Sequence, residues 1–336
     1  MKTFITRTAT GVDSLELIDA PAPGPVGPGQ IRVAMRAASL NFRDTLMVSG
    51  QFGLPADGLV PCSDGAGEIV EAAPDVTRFK VGDRVALIFN PDWIGGPFKP
   101  SVGALGRGGP YVPGTMREEI TVHHSEAVLL PEHMTFEDGA SLPCAAVTAW
   151  HALCGPAPLL PGMTVLLQGG GGVSLFALQF AKMFGARVIM TSSSPERCAK
   201  LRELGADDTI DYNAHPDWNE VARDMTGGMG VDLSLDIGGA DTVERALTAT
   251  RTGGRLALIG LITGWPNTVQ SLFAAGVDIS SIKVGSRDDF ENLLRAMAFH
   301  KTRPVIDSRY PFDRLPDALH HLKSGKHLGK IVIAFD

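Results

Sequence analysis

The chain is poor in cysteine, in aromatic side chains and in runs of one charge. Its four cysteines, Cys62, Cys144, Cys154 and Cys198, are scattered with no Cys-x-x-Cys pair, which excludes a disulfide-built scaffold and fits the reducing cytoplasm. Thirty basic and 37 acidic side chains give a net charge of −7, with aromatics at only 7%. No block of Lys or Arg offers a footprint for a phosphate backbone, so nucleic acid is excluded as a partner. No stretch approaches ~18 consecutive apolar residues, and Met1 to Gln30 has no unbroken apolar segment, so neither membrane insertion nor export is expected. Low-complexity tracts are also missing, because the 39 glycines and 23 prolines lie between apolar segments.

What is there is a globular composition, 44% apolar and 20% charged over 336 residues. Disorder and fibre are excluded, and at roughly 150 residues per domain the length predicts two domains. The first third reads as β-rich: Gln30 to Ala38 alternates apolar with polar, and Gly67 to Ala73 and Arg78 to Phe89 read as strands joined by turns. Asn90 to Gly114 is crowded with Gly and Pro, has no periodicity, and reads as a long loop that could cover a cleft.

From Thr164 the pattern becomes strand (Thr164 to Gln168), four glycines, and helix (Val173 to Phe184) closed by Gly185. A second strand, Arg187 to Thr191, leads to a helix capped by Ser194 and opened by Pro195. Further strands are expected at Asp207 to Tyr212, Val231 to Ile237 and Gly254 to Leu261, with a helix at Asp241 to Thr250. Such βα alternation predicts an α/β fold with a doubly wound parallel sheet of Rossmann type. A helix over Asp288 to Phe299 and a last strand, Lys330 to Phe335, complete the reading.

Gly169-Gly170-Gly171-Gly172-Val173-Ser174 follows a strand and opens a helix, the context a dinucleotide fingerprint requires. Phosphate can approach only where side chains are absent, and the unpaired N–H groups of the helix start then meet its charge. Ser174 stands where the third fingerprint glycine would be, so strand and helix are expected to pack slightly further apart. At the end of the second strand, Thr191-Ser192-Ser193-Ser194 lacks the acid that would bind a ribose 2′-hydroxyl and repel a 2′-phosphate. Ser192, Ser193 and Arg197 can instead bind that phosphate, which makes NADPH the expected cofactor. Ser194 reads as a helix cap.

Ser39-Leu40-Asn41-Phe42-Arg43-Asp44, Phe79 to Val85, Ala140 to Trp150, the glycine turn, Val284 to Arg287 and His327 to Ile331 together resemble the medium-chain dehydrogenase/reductase superfamily, in its zinc-free, quinone-oxidoreductase-like branch. The resemblance implies a GroES-like β-rich catalytic domain (1–128 and 285–336) into which the Rossmann domain (129–284) is inserted, with the active site in the cleft between them. It also implies a homodimer. By resemblance, Asn41 and Asp44 line the catalytic cleft near the nicotinamide, Thr148 and Ile259 flank its ring and carboxamide, Tyr212 lies by the adenosine end, and Val284 and Gly285 are further cofactor-binding residues. Each has a plainer alternative: Asp44 can cap a helix or pair with Arg43, Thr148 and Ile259 can be core, and Tyr212 can close a strand.

In zinc-dependent members the positions matching Asn41, Ser63 and Cys144 are Cys, His and Cys. One remaining soft ligand beside Asn and Ser cannot hold a catalytic zinc, and Asn90 to Thr115 contains no cysteine for a structural one. No metal is expected, and His123, His124, His320, His321 and His327 read as surface or hinge residues. Without a Lewis acid, hydride transfer suits a quinone or an α,β-unsaturated carbonyl, whose product anion is delocalised. Leu46 and Phe52 stand where the family often has tyrosines, which leaves solvent as the proton source. Two alternatives stay open: an alcohol or aldehyde dehydrogenase of the same superfamily, and a non-catalytic NADPH-binding structural or sensor protein.

Overall fold

The computed structural model describes residues 1–7, 10–51, 57–101, 105–155, 157–260, 262–264 and 272–335. In chain order its elements begin with β1 (Lys2–Thr6), β2 (Leu15–Asp19), β3 (Gln30–Ser39), α1 (Phe42–Val48), β4 (Asp64–Ala72), β5 (Arg84–Leu87), β6 (Glu119–His123), β7 (Ala127–Leu129) and α2 (Phe136–Ala140). The alternating run follows: α3 (Ala145–Cys154), β8 (Thr164–Gln168), α4 (Gly172–Met183), β9 (Arg187–Ser192), α5 (Pro195–Glu203), β10 (Asp208–Asp211), α6 (Trp218–Asp224), β11 (Val231–Asp236), α7 (Val243–Ala249), β12 (Thr250–Leu258), α8 (Leu272–Ala275) and β13 (Asp278–Ser281). The chain closes with α9 (Arg287–His300), β14 (Ile306–Pro311), α10 (Leu315–Ser324) and β15 (Lys330–Ala334).

Two compact units result: Met1–Val147 with Val284–Asp336, and Thr148–Lys283. The division differs from the expected break after residue 128. Residues 129–147 pack into the first unit because β7 pairs with β5, Ser39 Oγ donates to the Ala140 carbonyl at 2.8 Å and Arg303 reaches Asp138 at 2.7 Å.

In the first unit β3 is the organising strand. Its alternation turns Ile31, Val33 and Met35 inward, and it pairs with β4, β6 and β15. The sheet runs β14-β15-β3-β4-β5-β7, all antiparallel neighbours except β14 and β15. One face of apolar side chains includes Ile31, Ile69, Val85 and Ile120. A second cluster joins Leu40, Val48, Ile331 and Ile333 to Leu315, Leu319 and Leu322 of α10, a helix the sequence reading did not anticipate.

The second unit is a six-stranded parallel sheet, β10-β9-β8-β11-β12-β13. Trp218 and Ala222 of α6 and Val243, Ala246 and Leu247 of α7 cover one face over Leu166, Ile189 and Leu256. Helices α4 and α5 connect β8 to β9 and β9 to β10 and pack on those strands, and Phe180 of α4 meets Trp150 of α3 edge to face at 5.7 Å. The strand order reverses between β8 and β11, which is where such sheets bind ligands, beyond their carboxyl ends. β12 starts at Thr250, earlier than the glycine pair at 253 and 254 suggested, because Gly230 and Gly254 let the β11 and β12 backbones approach closely.

The loop expected over Asn90 to Gly114 is irregular in its described parts but anchored. Arg107 is buried and paired with Glu126 at 2.6 Å, and Arg43 donates to the Leu105 and Arg107 carbonyls at 2.9 and 3.0 Å. Phe52 lies outside the described residues.

Helix α1 starts with a capping box: the Asn41 side chain faces the backbone of Asp44, and Asp44 Oδ2 accepts from the Asn41 N–H at 2.8 Å. Asp44 Oδ1 lies 3.1 Å from Arg43. Burial raises the Asp44 carboxyl to about 6, and Asp64 adds to the rise, while Arg43 opposes it. The native chain therefore holds a proton that the unfolded chain releases between about pH 4 and 6, and stability falls as pH rises through that window, by up to roughly 3 kcal/mol. Asp44→Asn removes this loss. Urea titrations at pH 4.5 and 7 are expected to show the variant gaining on the parent as pH rises; a pH-independent difference contradicts the assignment.

Candidate functional site

The second unit carries most of the residues expected at a dinucleotide. After β8 the chain turns through Gly169 at φ +69°, and Gly171 caps α4. A Cβ added at Gly169 or Gly171 would meet nothing within 4 Å, so the turn opens on free space in front of the unpaired N–H groups of α4. The buried Ser174 hydroxyl donates to the Gln168 carbonyl, which ties the first turn of α4 to the end of β8.

Gln168 then ties the turn to the next strand end. Its Nε2 donates to Asp236 Oδ2 at 3.0 Å, and its Oε1 accepts from the Ile237 and Gly238 N–H groups at 3.1 and 3.2 Å. Asp236 also accepts from Gly239 N–H and from Thr242 Oγ1, both at 2.8 Å, and the Ile259 N–H reaches its carbonyl at 2.9 Å. Burial pushes the Asp236 carboxyl up against these bonds. Sequence reading placed Ile259 here but missed Gln168 and Asp236; a polar residue ending each of two adjacent buried strands was the available signal.

At the end of β9, Ser192 is buried and its carbonyl accepts from the Tyr212 N–H at 2.9 Å. The Ser193 carbonyl accepts from Asn213 Nδ2 at 2.7 Å. Ser194 Oγ caps α5 by accepting from the Arg197 N–H at 3.3 Å, and Arg197 is half-buried in its first turn. Glu196, exposed beside them, turns to Ser194, which holds its carboxyl below the usual range. Thr148 is buried in α3. Val284, at φ +69°, is a β-branched residue held in a left-handed conformation where the chain re-enters the first unit, next to buried Gly285.

The first unit carries a separate buried polar cluster around Asn41. The Lys330 ammonium, on the first residue of β15 and 2% exposed as a residue, donates to Asn41 Oδ1 at 2.7 Å and to the Leu40 carbonyl at 2.8 Å, and lies 3.7 Å from Asp64 Oδ2. Asn41 Nδ2 donates to Ser63 Oγ at 3.3 Å; Ser63 Oγ in turn donates to Asp64 Oδ1 at 2.7 Å. Asp64 Oδ2 also accepts from the Cys144 N–H at 3.2 Å. Cys62, just before Ser63, sits at φ +68°. Sequence reading identified Asn41 and Asp44 but not Lys330 or Asp64. The capping box and the Arg43 pair, both weighed for Asp44, are present together.

The three positions that resemble zinc ligands, Asn41, Ser63 and Cys144, thus converge through Asp64, but the donor set does not fit zinc. Asn41 Oδ1 is taken by a cation of the chain itself. Cys144 is one soft ligand beside an amide and a hydroxyl, where a catalytic zinc needs about three protein ligands. Among the described residues no group of three or more His, Cys, Asp or Glu side chains is arranged to hold a metal. His123 and His320 are exposed, and His320 pairs with Asp13 at 3.1 Å.

Residues 27–132 match the family model of the alcohol dehydrogenase GroES-like domain, and 172–298 that of the zinc-binding dehydrogenase. A zinc-type alcohol dehydrogenase-like protein of Schizosaccharomyces pombe is 34% identical, with 97% of each chain covered. A quinone oxidoreductase of Pseudomonas aeruginosa is 35% identical over 82% of this chain and 79% of its own. A mycobacterial protein whose structure was solved in complex with NADPH superposes with a TM-score of 0.84 at 29% identity, covering 99% of this chain and 100% of that one. With its GroES-like sheet, its inserted Rossmann unit and these relatives, the chain belongs to the medium-chain dehydrogenase/reductase superfamily of oxidoreductases.

Proposed function

We propose that the protein is an NADPH-dependent, zinc-independent reductase of quinones or α,β-unsaturated carbonyls. The observation that carries this reading is the lysine ammonium bonded to Asn41, at a position where a zinc-dependent relative would present a metal ligand. The open glycine turn fits a pyrophosphate, and the quinone oxidoreductase and NADPH-complexed relatives support the same reading.

Gly169 to Val173 would hold the pyrophosphate at the start of α4. Ser192, Ser193 and Arg197 would take the 2′-phosphate, with Tyr212 alongside, and Thr148, Ile259, Val284 and Gly285 would border the nicotinamide. Once bound, the reduced nicotinamide supplies a hydride that forms a C–H bond at the acceptor's electrophilic carbon, while the conjugated π pair moves to oxygen and water delivers the proton. Delocalisation of that charge lets hydrogen-bond donors replace a Lewis acid. Asn41 would be the donor to that oxygen, and Asp44 would serve it by fixing the Asn41 backbone. Oxidation of a simple alcohol through a metal-bound alkoxide is disfavoured by the same donor set.

A panel of quinones, enones, aldehydes and alcohols with NADPH and NADH tests the reading. Turnover is expected with NADPH and conjugated acceptors; exclusive activity on simple alcohols contradicts it, and tight NADPH binding without any turnover would leave a sensor or structural protein. Arg197→Ala is expected to raise the KM for NADPH by at least about tenfold, the worth of a charge-assisted hydrogen bond, with that for NADH unchanged. Gly171→Asp separates fold from ligand. Asp is a good helix cap at an extended position with free space around it, so the melting temperature should hold, while NADPH affinity measured by calorimetry should fall at least about tenfold from the carboxylate placed before the phosphate. Unchanged affinity would remove the nucleotide from this turn.

A further inference from the structure

A lysine buried at the first position of a strand is unusual enough to need a reason. An unpaired ammonium costs several kcal/mol to bury, so its partners must offset the lost water. Lys330 has three hydrogens and three acceptors around it: the Leu40 carbonyl at 2.8 Å, Asn41 Oδ1 at 2.7 Å and, more distantly, Asp64 Oδ2 at 3.7 Å. Each acceptor belongs to the loop-and-strand set that presents Asn41, Ser63 and Asp64.

The hydrogen-bond directions follow from this cation. An ammonium has no acceptor capacity, so Asn41 must turn its oxygen toward Lys330 and its NH2 away. Ser63 commits its hydroxyl hydrogen to Asp64 and can only accept from Asn41 Nδ2. One Nδ2 hydrogen is thereby fixed on Ser63, and the second is held in a single direction with no rotation of the amide available at low cost. A free asparagine amide could flip and present an acceptor, which would repel a developing negative oxygen.

We propose that Lys330 is a positioning residue: its fixed charge holds the Asn41 oxygen on the lysine and one amide hydrogen on Ser63, which leaves the other amide hydrogen to donate to the oxygen on which negative charge develops. The inference rests on the reductase reading above. Asp64 keeps the lysine in place and makes the pair neutral overall, so the polarising charge is local. Cys144 and Ser63, the other ligand-like positions, are bonded to Asp64 and complete the support.

The test uses the full-length protein with NADPH and a quinone. Lys330→Met leaves Asp64 buried without its cation and can destabilise the fold, so Lys330→Met with Asp64→Asn, which removes both charges, is the companion variant. Both are expected to lose at least about tenfold in kcat, the worth of one preorganised donor to a developing oxyanion, with the KM for quinone changed little and NADPH affinity unchanged, since the glycine turn lies in the other unit. Lys330→Arg should recover part of kcat. Asn41→Ala alone should match the loss, and combining it with Lys330→Met should cost little more, because one residue acts through the other. A double-charge variant that folds and keeps its kcat within twofold overturns the proposal, as do losses that multiply. Failure of the parent protein to reduce any conjugated acceptor would instead overturn the reductase reading.

Discussion

One buried cation organises the first unit. Lys330 reaches from the C-terminal strand to the start of α1, so β15, the loop before α1 and the beginning of β4 are held in one register by hydrogen bonds that water does not compete for. The partners are themselves constrained. Asn41 caps α1, Asp44 closes that cap, and Asp64 draws in the backbone of Cys144. Removing any partner leaves a buried polar atom unmatched, a cost larger than the net gain of an ordinary hydrogen bond. The left-handed Cys62 beside this cluster is held by the same surroundings, its carbonyl accepting from the Thr115 N–H at 3.0 Å.

The second unit solves a different problem with different means. Its glycine turn is bare, as the proposed phosphate contact would require, so it cannot hold its own shape through side chains. Gln168 and Asp236, one at the end of each strand flanking the switch point, brace it from behind through the Ile237, Gly238 and Gly239 amides and Thr242. Rigidity is thus supplied by neighbours of the turn, leaving its front open. Gly260 belongs to the same packing: a Cβ there would lie 1.7 Å from the Ile237 carbonyl oxygen.

Local pattern made much of this legible. The strand at Thr164–Gln168, the helix after the four glycines and the Ser194 cap follow from periodicity and capping chemistry, which act over a few residues. The pieces that escaped depend on distant partners. Lys330 sits where a strand begins and reads as a solvated charge until the Asn41 and Asp64 acceptors, hundreds of positions earlier, are brought to it. Residues 129–147 read as part of the Rossmann domain, yet β7 and α2 pack on the first sheet, a choice set by tertiary pairing. Helix α10 and strands β13 and β14 are short or weakly patterned, and their apolar faces matter only once Leu40 and Ile331, or Leu256, are present to pack against.

Metal-free polarisation by a protein cation is the centre of this account, and one measurement addresses it most directly. Protein dialysed against a strong chelator, with its zinc content determined, is mixed with NADPH and excess quinone, and nicotinamide oxidation is followed in a stopped-flow spectrometer. Oxidation at the undialysed rate with substoichiometric zinc is the predicted result. Loss of the rate on chelation, restored by adding zinc, would contradict it.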